Sequence, residues 1–189
     1  MTAPIPDDFV EALTSLRGHR FRGEVHLEEI PAPTRIAPFA VALNAEVNPT
    51  RDPDELLGHG RFVVLYDPEG QEAWHGVFRV IVMAKAEVDP EMGVDPMLGE
   101  AGWSWLIDSL DDVGAGCHHL SGTVTRVLSE TFGGLVLQSN GTEMEVRASW
   151  TPNTLDLGPH LQAWVGMLCA LCGLVPIEDG VSALGRTLP

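Results

Sequence analysis

The stretch Trp74-His-Gly-Val-Phe-Arg-Val-Ile-Val-Met-Ala-Lys-Ala-Glu-Val88 decides how this chain folds. Phe78, Val80, Val82, Ala84 and Ala86 fall on one side of a period-two ladder. Arg79, Ile81, Met83 and Lys85 fall on the other. Side chains alternate between the two faces of a strand, so the pattern predicts one long strand with a dry face and a mixed face. The mixed face needs cover from another part of the chain or from a partner.

On the N-terminal side the same period continues. Arg61–Tyr66 reads as a strand, and Asp67-Pro68-Glu69-Gly70 as the turn after it, with Pro at the second position. Phe39, Val41, Leu43, Ala45 and Val47 form another apolar face, and Val25 and Leu27 alternate with Glu24, His26 and Glu28. Pro31-Ala-Pro33 breaks that first strand. Asp52-Pro53 predicts a single helical turn that Gly58 ends. On the C-terminal side, strands resume at His119–Ser129, and Gly133-Gly134 suggests a bulge. Asn140-Gly141 is the strongest hairpin signal, joining Leu135–Ser139 to Thr142–Trp150. In the latter, Met144, Val146, Ala148 and Trp150 alternate with Glu143, Glu145, Arg147 and Ser149, giving one dry and one wet face.

Three segments switch to helical spacing. Pro6 with Asp7 and Asp8 suits a first turn, followed by Phe9, Leu13 and Leu16 and stopped by Gly18. Asp95-Pro96 opens a second helix with Trp103, Leu106, Leu110 and Val113 on its buried stripe, ended by Gly114 to Gly116. Gly158-Pro159 opens a third, in which Leu161, Trp164, Val165, Leu168 and Cys172 share a face while Met167 and Leu171 are apolar too. Such a helix is buried on more than one side, between sheet and another helix or in a dimer. Helix, strands, helix, strands, helix with short turns predicts an α+β fold: an antiparallel sheet of five to seven strands with three helices, as a two-layer sandwich. The 189 residues suit one domain, with an irregular tail from about Glu178.

Composition limits the function. Asp plus Glu number 27 against 11 Lys plus Arg, a formal net charge of −16. That field repels phosphate backbones and anionic membranes, and no basic stripe offsets it, so neither nucleic acid nor membrane is an expected partner. The most apolar run, Leu161–Ile177, is short for a span and carries Gly166, Gly173 and Pro176. The N-terminus lacks a signal-peptide pattern, and three cysteines do not make a disulfide framework. A reducing, cytoplasmic setting is the expectation.

No motif encodes a chemistry. Cys169-Ala-Leu-Cys172 has redox spacing, but near a helix C-terminus in apolar surroundings, where thiols are inert. Cys117 and His119 can share a strand face, and with Cys169 and Cys172 would make a tetrahedral zinc set. Adjacent His118 and His119 should point to opposite faces. Glu143 and Glu145 on one face read as a solvated surface rather than a carboxylate pair. His59 and His75 are candidate bases without a nucleophile, with Arg61 or Arg79 beside them in a concave pocket if this is a metal-free enzyme. Ser104, in Gly102-Trp-Ser-Trp105, lacks the second glycine of a nucleophile elbow.

Glu28-Glu-Ile-Pro-Ala-Pro33, Gly70-Gln-Glu-Ala-Trp74, Gly102-Trp-Ser-Trp105, Gly122-Thr-Val-Thr-Arg126, Ser129-Glu-Thr-Phe-Gly-Gly134 and Arg147-Ala-Ser-Trp-Thr-Pro152 together resemble an actinobacterial family of uncharacterised proteins, a domain of unknown function. The resemblance spans nearly the whole chain and implies no activity, cofactor or catalytic residue. The element order is also similar to that of small acidic secretion-chaperone-like proteins, which hold a protein segment on an open face as dimers. The expectation is a non-catalytic binding or adaptor protein for a protein partner, a homodimer, without cofactor, using the face around Arg79, Ile81 and Met83. The alternative is a small-molecule or metal-dependent enzyme built on Cys117, His119, Cys169 and Cys172.

Overall fold

The computed structural model describes residues 4–134 and 141–177. Helix α1 (Asp7–Ser15) leads into strands β1 (Val25–Ile30), β2 (Phe39–Val47), β3 (Gly58–Gln71) and β4 (Gly76–Val88). A short helix α2 (Pro90–Gly93) and helix α3 (Leu98–Asp112) follow, then β5 (Cys117–Leu128), β6 (Thr142–Pro152) and helix α4 (Gly158–Leu171). The strands form one open antiparallel sheet in the order β1-β2-β3-β4-β6-β5. The α+β expectation holds, with six strands and three helices of useful length.

The expected alternation sets the two faces of β4. Phe78, Val80, Val82, Ala84 and Ala86 are buried under the helices, with Phe62, Val64 and Tyr66 of β3 and Met144, Val146, Ala148 and Trp150 of β6 in the same core. Asp7 and Asp8 favour the first turn of α1 through the helix dipole, and Phe9 packs its ring 5.7 Å from those of Phe39 and Tyr66. Helix α4 has ten buried residues, facing α3 on one side and the sheet on the other. Its all-round apolar surface is therefore consumed within one chain, which removes the dimer as an explanation for it.

Helix and sheet meet most closely at Trp164 of α4. Its ring lies over Gly60 of β3, and its Nε1 donates to the Met83 carbonyl at 3.0 Å. A Cβ on Gly60 would stand 2.6 Å from Met83 O and 2.9 Å from Trp164 Cζ2. Gly58 receives Cys172, Gly122 receives the Trp103 ring and Gly102 receives Met144 in the same manner. Beside Trp164, buried His160 accepts from Trp150 Nε1 at its Nδ1, 2.9 Å away. Burial pulls its pKa down to about 4, against a smaller opposing pull from Asp156.

The structure departs from the sequence reading at the turns. Asp52 caps a turn through the Asp54 amide, and no helical turn forms before Gly58. Strand β3 runs through Asp67–Gly70 as an irregularity between the Tyr66–Phe78 and Gln71–Gly76 pairs. The chain reverses later, in a 3₁₀ turn at Glu72–Trp74, so Trp74 precedes β4 rather than starting it. Asp95 accepts from the Met97 amide, one turn before α3 begins. Strand β6 pairs with β4 on one edge and with β5 on the other. Residues 135–139, the expected hairpin arm, Asn140 and the tail from Glu178 lie outside the described residues.

Two outcomes test this packing. Gly60→Ala should lose about 1–3 kcal/mol of unfolding free energy in urea, the usual range for overpacking, while Gly23→Ala, with nothing within 4 Å, should be near neutral. His160 takes up a proton more readily unfolded than folded. Its contribution is therefore fully present above about pH 6.5 and lost as pH falls toward about 4, a loss on the order of 3 kcal/mol. His160→Gln should flatten that slope.

Candidate functional site

The face of the sheet away from the helices is built from cross-strand rows. Ala40, Leu65, Arg79, Thr151 and His118 form one row, and Ile30, Ala42, Val63, Ile81, Ser149 and Ser121 the next. Below them run Glu28, Asn44, Arg61, Met83, Arg147 and Thr123, and then His26, Glu46, His59, Lys85, Glu145 and Thr125. The connection between β1 and β2 covers part of this face: Ala32 and Ala37 pack with Ala42, Val63, Leu65 and Trp74, and Ile81 borders the same cluster. The mixed face of β4 is thus half covered by the chain itself.

The uncovered part is a depression of about 400 Å³ on β4, β6 and β5. Met83 lies at its centre, flanked in register by Arg61 of β3 and Arg147 of β6, with Ser121, Thr123 and Ser149 around it. No Asp or Glu among the described residues lines it. Arg147 is bonded to Glu145, and Lys85 to Glu143 at 2.8 Å, in the row below. Ile81 and Met83, named from sequence, line this hollow. Arg79 does not: it is 8% exposed and donates to Thr151 Oγ1 at 3.1 Å and to Ser149 Oγ at 2.8 Å. Burial pulls its pKa down, yet a guanidinium stays charged, so Arg79 is a buried cation satisfied by hydroxyls. Arg61 was named only as a neighbour of a base, and Arg147 only as a strand residue. Their joint position depends on the order β3-β4-β6, which no local pattern carries.

At the far end of this face three histidines meet, an arrangement that sequence reasoning missed. His119 has φ of 52° and His75 φ of 51°, left-handed values that few non-glycine residues adopt. The irregularity between the His118–Thr151 and Ser121–Ser149 pairs turns His119 back, so the two adjacent histidines do not diverge. The rings of His75 and His119 stack at 3.8 Å, and His118 stands edge-on to His119 at 5.1 Å. His118 Nδ1 lies 2.7 Å from Asn153 Oδ1 and its Nε2 3.2 Å from the His75 carbonyl. Desolvation, followed by the cationic forms of His75 and His118 and by Arg79, holds His119 below the ordinary histidine value. No hydroxyl or thiol is hydrogen-bonded to any of these rings among the described residues, so the stack has no nucleophile to activate.

The enzyme candidates are dispersed. His59 pairs with Lys85 while His75 precedes the other end of β4, roughly 30 Å of strand away. Cys172 lies over Gly58, whose row continues through Ala86 and Met144 to Arg126; Cys117 stands nine residues from Arg126 on β5, again roughly 30 Å. The proposed zinc set therefore does not assemble, and no group of three or more His, Cys, Asp or Glu among the described residues is placed to hold a metal ion. Burial pushes the thiol of Cys172 up to about 12 and raises those of Cys117 and Cys169. Ser104 is exposed on α3, within a helix.

An open six-stranded antiparallel sheet backed by helices defines an α+β protein with one bare, partly cationic sheet face. The chain belongs to the family described as "Protein of unknown function (DUF3000)", which matches residues 5–182. No curated protein and no solved structure matches it. Among the described residues, no helix is long and apolar enough to cross a membrane.

The desolvated thiols, Cys169 buried and Cys117 and Cys172 half-buried, make a prediction. Iodoacetamide at pH 7.5 should modify Cys117, Cys169 and Cys172 in the native protein at least ~10-fold more slowly than after unfolding, read by mass spectrometry. A native thiol reacting at the unfolded rate would contradict the burial described.

Proposed function

We propose that this protein is a non-catalytic binding protein, and that the bare part of its sheet holds a segment of a partner protein. The observation that carries the reading is Met83 set between Arg61 and Arg147 in a hollow without carboxylates. On a chain of net charge −16, Arg61 makes no ion pair among the described residues and Arg147 holds Glu145, so the hollow offers one uncommitted guanidinium and a second that a partner's carboxylate can share. Charge complementarity selects an acidic segment with an apolar anchor, the anchor against Met83 and the carboxylates toward the two guanidiniums. Ser121, Thr123 and Ser149 add hydroxyls that bond a backbone or side chain of either polarity. This reading replaces Arg79 with Arg61 and Arg147 as the charged contacts and keeps Ile81 and Met83. It needs no second copy of the chain, because α4 is covered by its own sheet and by α3.

A photo-crosslinking residue in place of Met83, in the native host, tests the reading. One dominant protein adduct is expected, reduced about tenfold or more by Arg61→Glu with Arg147→Glu, and absent when the crosslinker replaces exposed Glu11 on α1. No adduct, or an adduct indifferent to the charge reversal, would overturn it.

A further inference from the structure

On the other side of the molecule, α3 and α4 part to leave a cavity of about 570 Å³. Its size is that of a small-molecule site. Phe21, Trp105 and Cys169 supply apolar lining, and the Cys169 thiol, 8% exposed, makes no hydrogen bond among the described residues. Gly166 of α4 also lines it, in the middle of a helix where glycine is unfavourable. Other close-contact glycines of this fold are required by a neighbour: a Cβ on Gly60, Gly58 or Gly122 would stand within 3.0 Å of a backbone oxygen. A Cβ on Gly166 would meet only Ser109, at 3.4 Å from its Oγ and 3.8 Å from its Cβ, which is ordinary contact. Packing does not explain this glycine; keeping the cavity open does.

The charges around the cavity give its preference. Arg22 is occupied by Glu24 at 3.0 Å and by the Val175 carbonyl at 2.7 Å. Asp108 and Asp112 stand one turn apart on α3 and pair with no cation among the described residues. Asp108, Asp112 and Arg20 are all exposed, and two carboxylates against one guanidinium without an ion pair among the described residues leave this lining net negative, in the same direction as the molecule's −16 field. Aromatic faces beside carboxylates favour a cation with a flat apolar body. We infer that the cavity between α3 and α4 is a binding site for a small aromatic or apolar monocation, seated on Gly166 between Trp105 and Phe21 with its charge toward Asp108 and Asp112. The site is separate from the Met83 face and does not depend on that reading.

Thioflavin T, a flat aromatic cation that brightens when its rotation is restricted, is the probe, with anilinonaphthalene sulfonate as the anionic counterpart. Titration at low salt should show saturable one-to-one binding of thioflavin T and at least ~10-fold weaker binding of the sulfonate. Gly166→Leu, which places a side chain in the cavity and raises helix propensity, should keep the far-ultraviolet circular dichroism and bind thioflavin T at least ~10-fold more weakly. Asp108→Asn with Asp112→Asn should cost affinity about tenfold without changing the melting temperature. Failure of the wild-type protein to bind thioflavin T, equal binding of the sulfonate, or a folded Gly166→Leu protein that binds like wild type would overturn the inference. Should Gly166→Leu not fold, the doubly neutralised protein decides: unchanged affinity overturns the inference, and a tenfold loss supports it.

Discussion

The contact of Trp164 with Gly60 governs the architecture. An indole can lie directly on a strand only where the strand offers no Cβ, and its N–H then reaches the Met83 carbonyl at 3.0 Å. That one seat sets the height of α4 above the sheet. Once α4 is so low, its neighbours must yield too: Cys172 presses on Gly58, and α3, packed beside α4, needs Gly102 against Met144 and Gly122 under Trp103. Four glycines thus form the complementary surface to two tryptophans, a methionine and a cysteine. The close approach also explains why α4 is apolar on most sides: ten of its residues are buried, and the exposed ones are Gln162 and Gly166, one turn apart.

The helix-facing core was legible in the sequence because period-two alternation and helical spacing are local signals. Phe78 to Ala86 and Met144 to Trp150 fell on the face that the alternation assigned them. What failed were features set by long-range pairing. The Asp67-Pro-Glu-Gly70 signal marks a real local bend, with Asp67 accepting from the Glu69 amide and Gly70 at φ of 73°, but pairing of Gln71 with Gly76 absorbs it as an irregularity within the hairpin. Strand β6 pairs with the more distant β5, a partner that no local residue announces.

The candidate site was partly legible for the same reason. Ile81 and Met83 stood out as apolar residues on a face that also bears charges. Arg61 and Arg147 come from strands on either side, and only their register with Met83 makes them a pair. The histidine stack escaped because the alternation rule for neighbours, sound in a regular strand, is broken by the left-handed residue His119. Arg79 looked like a surface contact and is instead an internal cation whose hydroxyl partners, Ser149 and Thr151, lie on a strand seventy residues away. The two sides of the molecule also divide its charge: a carboxylate-free hollow on the bare sheet, and Asp108 and Asp112 beside the helix cavity.

Strand β5 closes the sheet with twelve residues, is largely exposed, and carries a single arginine and no proline or carboxylate. Among the described residues no strand pairs with its outer flank, and the exposed Val127 and Leu128 sit at its end. Little in the strand itself discourages stacking of one molecule on the next. Mutual repulsion between polyanions opposes such stacking, and that opposition fades near the isoelectric point of about 4.6. The acidity of the chain is in this respect a colloidal property: it stands in for the gatekeeper charges that β5 lacks.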